Sequence, residues 1–352
     1  MRRIDRWEHG SEYHWLRVPP GDRPRAEPWE AGLLLSCGRD ALRMLLAEGV
    51  RRRGWRRLWV PDYFCQSVVA ALVRPDLELV PYPDLPFDTP PRMPDARSGD
   101  AVLVMNYFGL RAPFAAKPRE GVEIVEDHSH DLTSDWARSS AADYCIASLR
   151  KTLPLPEGGV LWSPRNHSLP PPPRQTEQRR KASATKVSAM LLKAMYLDGH
   201  AVDPEAYRSL EMRAEAAFGV DSISAMTELA RVMLATFPLE TWRQARLSNW
   251  ETLSRNLDRV KWVSVLRPAP GQVPFSVVLL LDSPERRDRV RAGLIREAVF
   301  PAVLWQLEET VVEVGRQARD MSRRLLSIHC DGRYSREDME RVGALIEAAG
   351  SA

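Results

Sequence analysis

Short apolar runs separated by helical periodicity restrict the fold of this chain more than any other feature. Ala101 to Met105, Val122 to Val125 and Cys145 to Ala147 are brief, nearly continuous apolar segments, and Leu58-Trp59-Val60 and Leu77 to Val80 precede them. Strands of that kind are buried on both faces, as in a mostly parallel sheet covered by helices on each side. Helical stretches alternate with them: one opens at Gly38 with apolar residues at 41, 42, 45 and 46, and another runs from about Ser67 to Val73. The alternation continues to about residue 165 and predicts an α/β sheet. Pro81 to Pro94 holds six prolines and reads as loop.

Beyond the tract Leu169-Pro170-Pro171-Pro172-Pro173-Arg174 the pattern turns helical, over about 176–197, 204–217, 223–236 and 239–259. A second α/β unit follows. Phe275 to Leu281 and Leu325 to Ile328 read as strands, a helix starts at Ser283-Pro284-Glu285, and Ser335-Arg336-Glu337-Asp338 caps a final one. The expected organisation is an arm over residues 1–30 and a large α/β domain over 31–235, with the proline tract as a rigid loop. A long connector helix and a small C-terminal α/β domain occupy 236–352.

One stretch carries chemistry. The run Tyr144 to Ala147 leads into Ser148-Leu149-Arg150-Lys151, and the chain then breaks at Pro154, Pro156 and Gly158-Gly159 before the apolar Val160 to Trp162. A lysine at the mouth of a sheet is placed to react, because its amine condenses with aldehydes and its pKa moves readily on partial burial. About twenty residues upstream, Val122 to Val125 ends in Glu126-Asp127. Pyridoxal phosphate requires such a pair: a lysine for its aldehyde and an acid to keep its ring nitrogen protonated. The helix start at Gly38 presents backbone N–H groups as a phosphate cradle, and Ser148 offers a hydroxyl.

Composition narrows the classes. A net charge of +3 is too close to balance to argue for nucleic acid. The four cysteines (Cys37, Cys65, Cys145, Cys330) lie far apart with no CxxC pair, against structural zinc and a disulfide framework. No signal-peptide-like or membrane-length apolar run is present, so a cytoplasmic protein is expected. His128 and His130 alternate without a ligand set at metal spacing, and no metal is expected. Arg51-Arg52-Arg53-Gly54-Trp55-Arg56-Arg57 reads as a solvated helix C-terminus suited to the helix dipole.

Several motifs occur in one order: Ser36-Cys37-Gly38-Arg39-Asp40-Ala41-Leu42, Val60-Pro61-Asp62-Tyr63-Phe64-Cys65, Tyr107-Phe108-Gly109, Val125-Glu126-Asp127-His128-Ser129-His130, and Ser148-Leu149-Arg150-Lys151 with Glu157-Gly158-Gly159. Together they resemble the DegT/StrS-type aminotransferases of fold type I, which depend on pyridoxal phosphate. Arg246-Leu247-Ser248-Asn249-Trp250 and Arg333-Tyr334-Ser335-Arg336-Glu337-Asp338-Met339 fit the same family's second half. The resemblance implies a homodimer with shared sites, no nucleic-acid or membrane partner, and transfer of an amino group from a donor such as glutamate to a keto or aldehyde acceptor. It gives Lys151 the role of Schiff-base lysine and proton shuttle, and Asp127 that of partner to the pyridine nitrogen. His130 takes the place near the ring oxygen. Gly38, Arg39, Asp40 and Ser148 take the phosphate, Tyr63 or Phe64 stacks on the ring, and Arg333 is a candidate for a substrate carboxylate.

The chain also departs from the pattern. Many relatives have Ser-Gly-Thr where Gly38-Arg39-Asp40 stands, and a serine five residues before the lysine where Ile146 stands; the stacking position also falls near Cys65. Two alternatives stay open beside transamination. One is another reaction on the same cofactor (elimination, decarboxylation or cleavage), and the other is a binding or regulatory protein without catalysis.

Overall fold

The structure, a computed structural model, describes residues 6–17, 19, 21, 26–88, 91–113, 119–219 and 222–351. Seven strands build the main sheet: β1 (Leu33–Leu35), β2 (Arg57–Pro61), β3 (Glu78–Tyr82), β4 (Asp100–Met105), β5 (Glu123–Asp127), β6 (Tyr144–Ala147) and β7 (Gly159–Trp162). Their order across the sheet is β3-β2-β4-β5-β6-β7-β1. The strands from β3 to β6 are parallel, and β7 runs antiparallel to both β6 and β1.

The apolar runs are buried on both faces as their composition requires. Along β4, Ala101, Leu103 and Met105 enter one core cluster while Val102 and Val104 enter another on the opposite face. Pro81 is a correction to the sequence reading, because it lies inside β3. That strand is an edge strand, where a missing N–H costs no ladder bond on the open side.

The chain crosses the sheet in two directions from β2, going to β3 on one side and β4 on the other. Open α/β sheets bind ligands beyond the carboxyl ends of their strands near such a reversal. Helix α1 (Gly38–Glu48) follows β1 and α2 (Gln66–Leu72) follows β2. The arginine run divides: Arg51–Arg53 form a wide turn closed by Gly54 at φ 71°, while Arg57 lies in β2 and pairs with Asp100 at 2.8 Å.

After the sheet come α3 (Glu177–Leu197), α4 (Pro204–Gly219), α5 (Glu228–Thr236) and the long α6 (Leu239–Leu257). Helix α5 starts later than the periodicity suggests. Thr227 caps it, and the residues before it are used in the bridge of Ala225 to Leu35. A three-stranded antiparallel sheet of order β10-β9-β8 forms the C-terminal unit, from β8 (Val263–Val265), β9 (Ser276–Leu281) and β10 (Leu325–His329). With it go α7 (Pro284–Arg296), α8 (Arg316–Arg324) and α9 (Arg336–Ser351). The short β8 and the nearly all-polar α8 are not visible in the sequence pattern; α8 buries only Ala318, Met321 and Ser322.

Of the arm, residues 6–17 run as a strap whose His9–Gly10 pairs in parallel with Val299–Phe300. Residues 1–5, 18, 20 and 22–25 of the expected arm lie outside the described residues. No helix among the described residues is long and apolar enough to cross a membrane.

Candidate active site

Lys151 sits on a single helical turn, Leu149–Thr152, at the carboxyl end of β6. The glycines behind it allow α1 to approach closely. A Cβ on Gly159 would lie 2.2 Å from the carbonyl carbon and oxygen of Cys37, and one on Gly38 would lie 3.0 Å from Cβ of Ser148. Glycine at both positions therefore lets the start of α1 rest against the lysine turn. Gly158 at φ +146° completes the approach, with its N–H donating to Ser36 O at 2.7 Å and its carbonyl accepting from Leu149 N at 3.0 Å.

A cavity of about 370 Å³ opens at this place, and Gly38, Arg39, Ser148, Lys151, Asp127 and His130 all line it. Asp127 ends β5, on the strand beside the lysine's. Its buried carboxylate accepts from Ser129 N at 2.8 Å, and burial pushes its pKa up against the opposing charge of Lys151. A cationic N–H placed beside it would reverse that shift. Ser129 also accepts through Oγ from Ser148 N at 2.9 Å, which ties the end of β5 to the lysine turn.

His130 lies between aromatic rings, with centroids 4.7 Å from Phe275, 5.3 Å from Phe108 and 5.6 Å from Trp305. Its Nδ1 accepts from Phe108 N at 3.1 Å, so the proton sits on Nε2, a buried atom with no partner among the described residues. Burial and the neighbouring Lys151 charge hold its pKa well below 6.5, so the ring is neutral. A buried N–H left open beside a lysine and a carboxylate is a place for a ligand acceptor atom.

The other side chains predicted from the sequence divide. Phe64 lines the cavity. Tyr63 lies outside the lining, its hydroxyl donating to Leu304 O. Asp40 is buried away from the cavity in an ion pair with Arg179 at 3.0 Å, its other oxygen accepting from Ser224 N at 3.4 Å. Arg39 lines the cavity and has no ion-pair partner among the described residues. Arg333 forms a bidentate pair with Asp331, donates to the Ser11 and Glu12 carbonyls of the strap, and does not line the cavity.

Sequence reasoning missed Trp305, whose ring centroid lies 5.8 Å from Lys151 Nζ, and also Phe275, His329 and strap residues 11–13. Phe275 follows Gln272-Val273-Pro274 and Trp305 follows Val303-Leu304, with no motif to mark either. The rim carries charge in pairs. Arg150 is bidentate on Glu215, and Lys186 is 2.7 Å from Glu12 of the strap and 3.4 Å from Glu215.

No family model and no curated protein matches this sequence. Solved structures do. DesV of S. venezuelae in complex with a ketimine intermediate is 15% identical, over 91% of this chain and 85% of that one, with a TM-score of 0.58. Spr1654 of Streptococcus pneumoniae, described as a sugar aminotransferase and solved in its PLP form, is 12% identical over 91% and 87%, with a TM-score of 0.59. A DegT DnrJ EryC1 StrS aminotransferase of Brucella abortus is 15% identical over 91% and 86%, at 0.53. With its parallel sheet, antiparallel seventh strand and helices on both faces, this chain has the fold of these aminotransferases, fold type I, as the sequence resemblance implied.

Proposed function

We propose that this chain is a pyridoxal-phosphate-dependent aminotransferase that moves an amino group from an amino-acid donor to a small keto or aldehyde acceptor. The observation that carries this is the meeting of Lys151, Asp127 and the open Nε2–H of His130 in one cavity, beside the start of α1. The residues fit the cofactor. The amine of Lys151 would hold its aldehyde carbon, the Asp127 carboxylate would face its ring nitrogen, and His130 would donate to its ring oxygen. Gly38 and Arg39 at the helix start, with the Ser148 hydroxyl, would take the phosphate, a site that helix N-termini favour. When bound, the cofactor supplies an electron sink for charge that develops on the substrate carbon.

The chain's own groups do the rest. Lys151, once its amine is free, takes and returns the proton at that carbon, close enough to act as both acid and base. Asp127 stays anionic while a cation faces it, which offsets the cost of burying its charge. His130 is neutral and so donates through Nε2 without competing for that proton. Phe64, Phe275 and Trp305 exclude water from the inner cavity. By the same reading, the enzyme works in the cytoplasm as a homodimer with part of each site from the second copy.

The test is an absorbance spectrum of the purified protein with pyridoxal phosphate, followed by borohydride reduction and peptide mapping. A visible band, and a phosphopyridoxyl adduct on Lys151, are expected. Loss of the band on adding glutamate or another amino acid then identifies transamination. A protein with no band and no adduct on Lys151 would overturn the reading.

A further inference from the structure

Arg246 lies on α6, remote in sequence from every group in the cavity, and is buried at 4% exposure. Its guanidinium is directed at two backbone carbonyls. Nη2 donates to Thr152 O at 2.8 Å and Nη1 donates to Phe275 O at 2.7 Å. The nearby acid Asp331 is already taken by Arg333.

Both carbonyls belong to pieces of the candidate site. Thr152 follows Lys151 and ends its helical turn, and the last carbonyls of so short a turn have no partner within the helix. Trp242 Nε1 donates to the same oxygen at 3.0 Å, and the Tyr13 hydroxyl donates to Lys151 O at 3.5 Å. Phe275 stacks on His130. Its N–H donates to Phe108 O at 2.7 Å, and Phe108 N–H in turn donates to His130 Nδ1. One planar guanidinium thus spans the lysine turn, which leaves β6, and the ring clamp on His130, which follows β5.

We propose that Arg246 is a positioning residue that fixes the aim of the Lys151 amine relative to the Nε2–H of His130. The inference rests on the proposed function, since it assigns the two groups to one ligand. Two donors in a rigid fork can hold two carbonyls at a set separation, and a lysine ammonium on a flexible stem cannot. Reacting groups displaced by about 1 Å lose on the order of 100-fold in rate. A buried carbonyl stripped of its donor also invites the turn to rearrange.

The experiment has two arms on the full-length protein. In the first, Lys151 of the cofactor-free protein is reductively methylated with formaldehyde and cyanoborohydride, and its rate is mapped against the other lysines. In the second, pyridoxal phosphate is titrated by absorbance and by visible circular dichroism. The variants are Arg246→Ala with and without added guanidinium, Arg246→Lys, and Trp242→Phe, each checked for folding by far-ultraviolet circular dichroism.

Arg246→Ala is expected to alter the relative methylation rate of Lys151 and to weaken cofactor binding about 10-fold or more. It should also change the visible dichroism, with partial return on adding guanidinium. Arg246→Lys falls between, and Trp242→Phe loses less because Arg246 still holds Thr152 O. Folded variants with unchanged Lys151 methylation, cofactor affinity and dichroism overturn the proposal. So does a loss that guanidinium does not reverse and that Arg246→Lys shares in full, since that is the mark of a general packing role. If Arg246→Ala does not fold, Arg246→Lys and Trp242→Phe decide. If the wild type binds no cofactor, the functional reading fails, and the methylation arm still judges whether Arg246 aims the lysine.

Discussion

Glu211 should make the protein more stable in mild acid than in mild base. It lies on α4, 7% exposed, with Oε1 buried and unpartnered among the described residues. Burial disfavours its charge, Glu8 and Glu12 of the strap add to that, and together they outweigh Lys186 and Lys193 of α3 and raise its pKa from 4.5 to about 7. Between those two values the folded protein holds a proton that the unfolded chain has released. Stability from this group is therefore complete below pH 4.5 and is lost as the pH rises through 7. That span, at about 1.4 kcal/mol per pH unit, bounds the loss at about 3.5 kcal/mol. Glu211→Gln removes the ionisation and nearly keeps the shape. In urea unfolding it should match wild type at pH 4 and exceed it by about 1–3 kcal/mol at pH 8. An equal gap at both pH values, or a less stable glutamine variant at pH 8, would refute the argument.

Three shorter predictions concern the site. Lys151→Ala should abolish borohydride trapping of pyridoxal phosphate and lower amine transfer by about 1,000-fold or more, read by mass mapping and by single-turnover absorbance. Gly159→Ala places a methyl group 2.2 Å from the Cys37 backbone, so α1 must move; a stability loss of about 1–3 kcal/mol and weaker cofactor binding are expected from urea unfolding and titration. His130→Phe keeps the aromatic stack but removes the Nε2–H, and should weaken cofactor binding by about 1–2 kcal/mol. Because the His130 pKa lies well below 6.5, wild-type affinity should show no histidine step between pH 6 and 8.

The parallel sheet was legible because strands buried on both faces leave a local mark, an apolar run without alternation, and β4 to β6 carry it. Lys151 and Asp127 were legible for a related reason: each sits at the carboxyl end of such a run, so locating the strand also locates the residue. Arg39 and Asp40, neighbours in sequence, show where this inference stops. Both were assigned to the phosphate cradle, yet the helical rotation between adjacent residues turns Arg39 to the cavity and Asp40 inward to Arg179. Arg179 lies on α3, and nothing in the local sequence announces a partner so far along the chain.

The same limit explains the walls of the site. Trp305, Phe275, His329 and the strap reach the cavity through contacts between segments distant in sequence, as where Phe275 N–H donates to Phe108 O, and such contacts have no periodicity to read. Arg246 is the sharpest case. Its motif on α6 reads in the sequence as a family likeness, while its proposed role depends on two carbonyls 94 and 29 residues away in the chain. A backbone carbonyl has no side-chain identity, so no residue type marks it as the partner of an arginine. The chemical groups of a site are therefore written in the sequence more plainly than the groups that aim them.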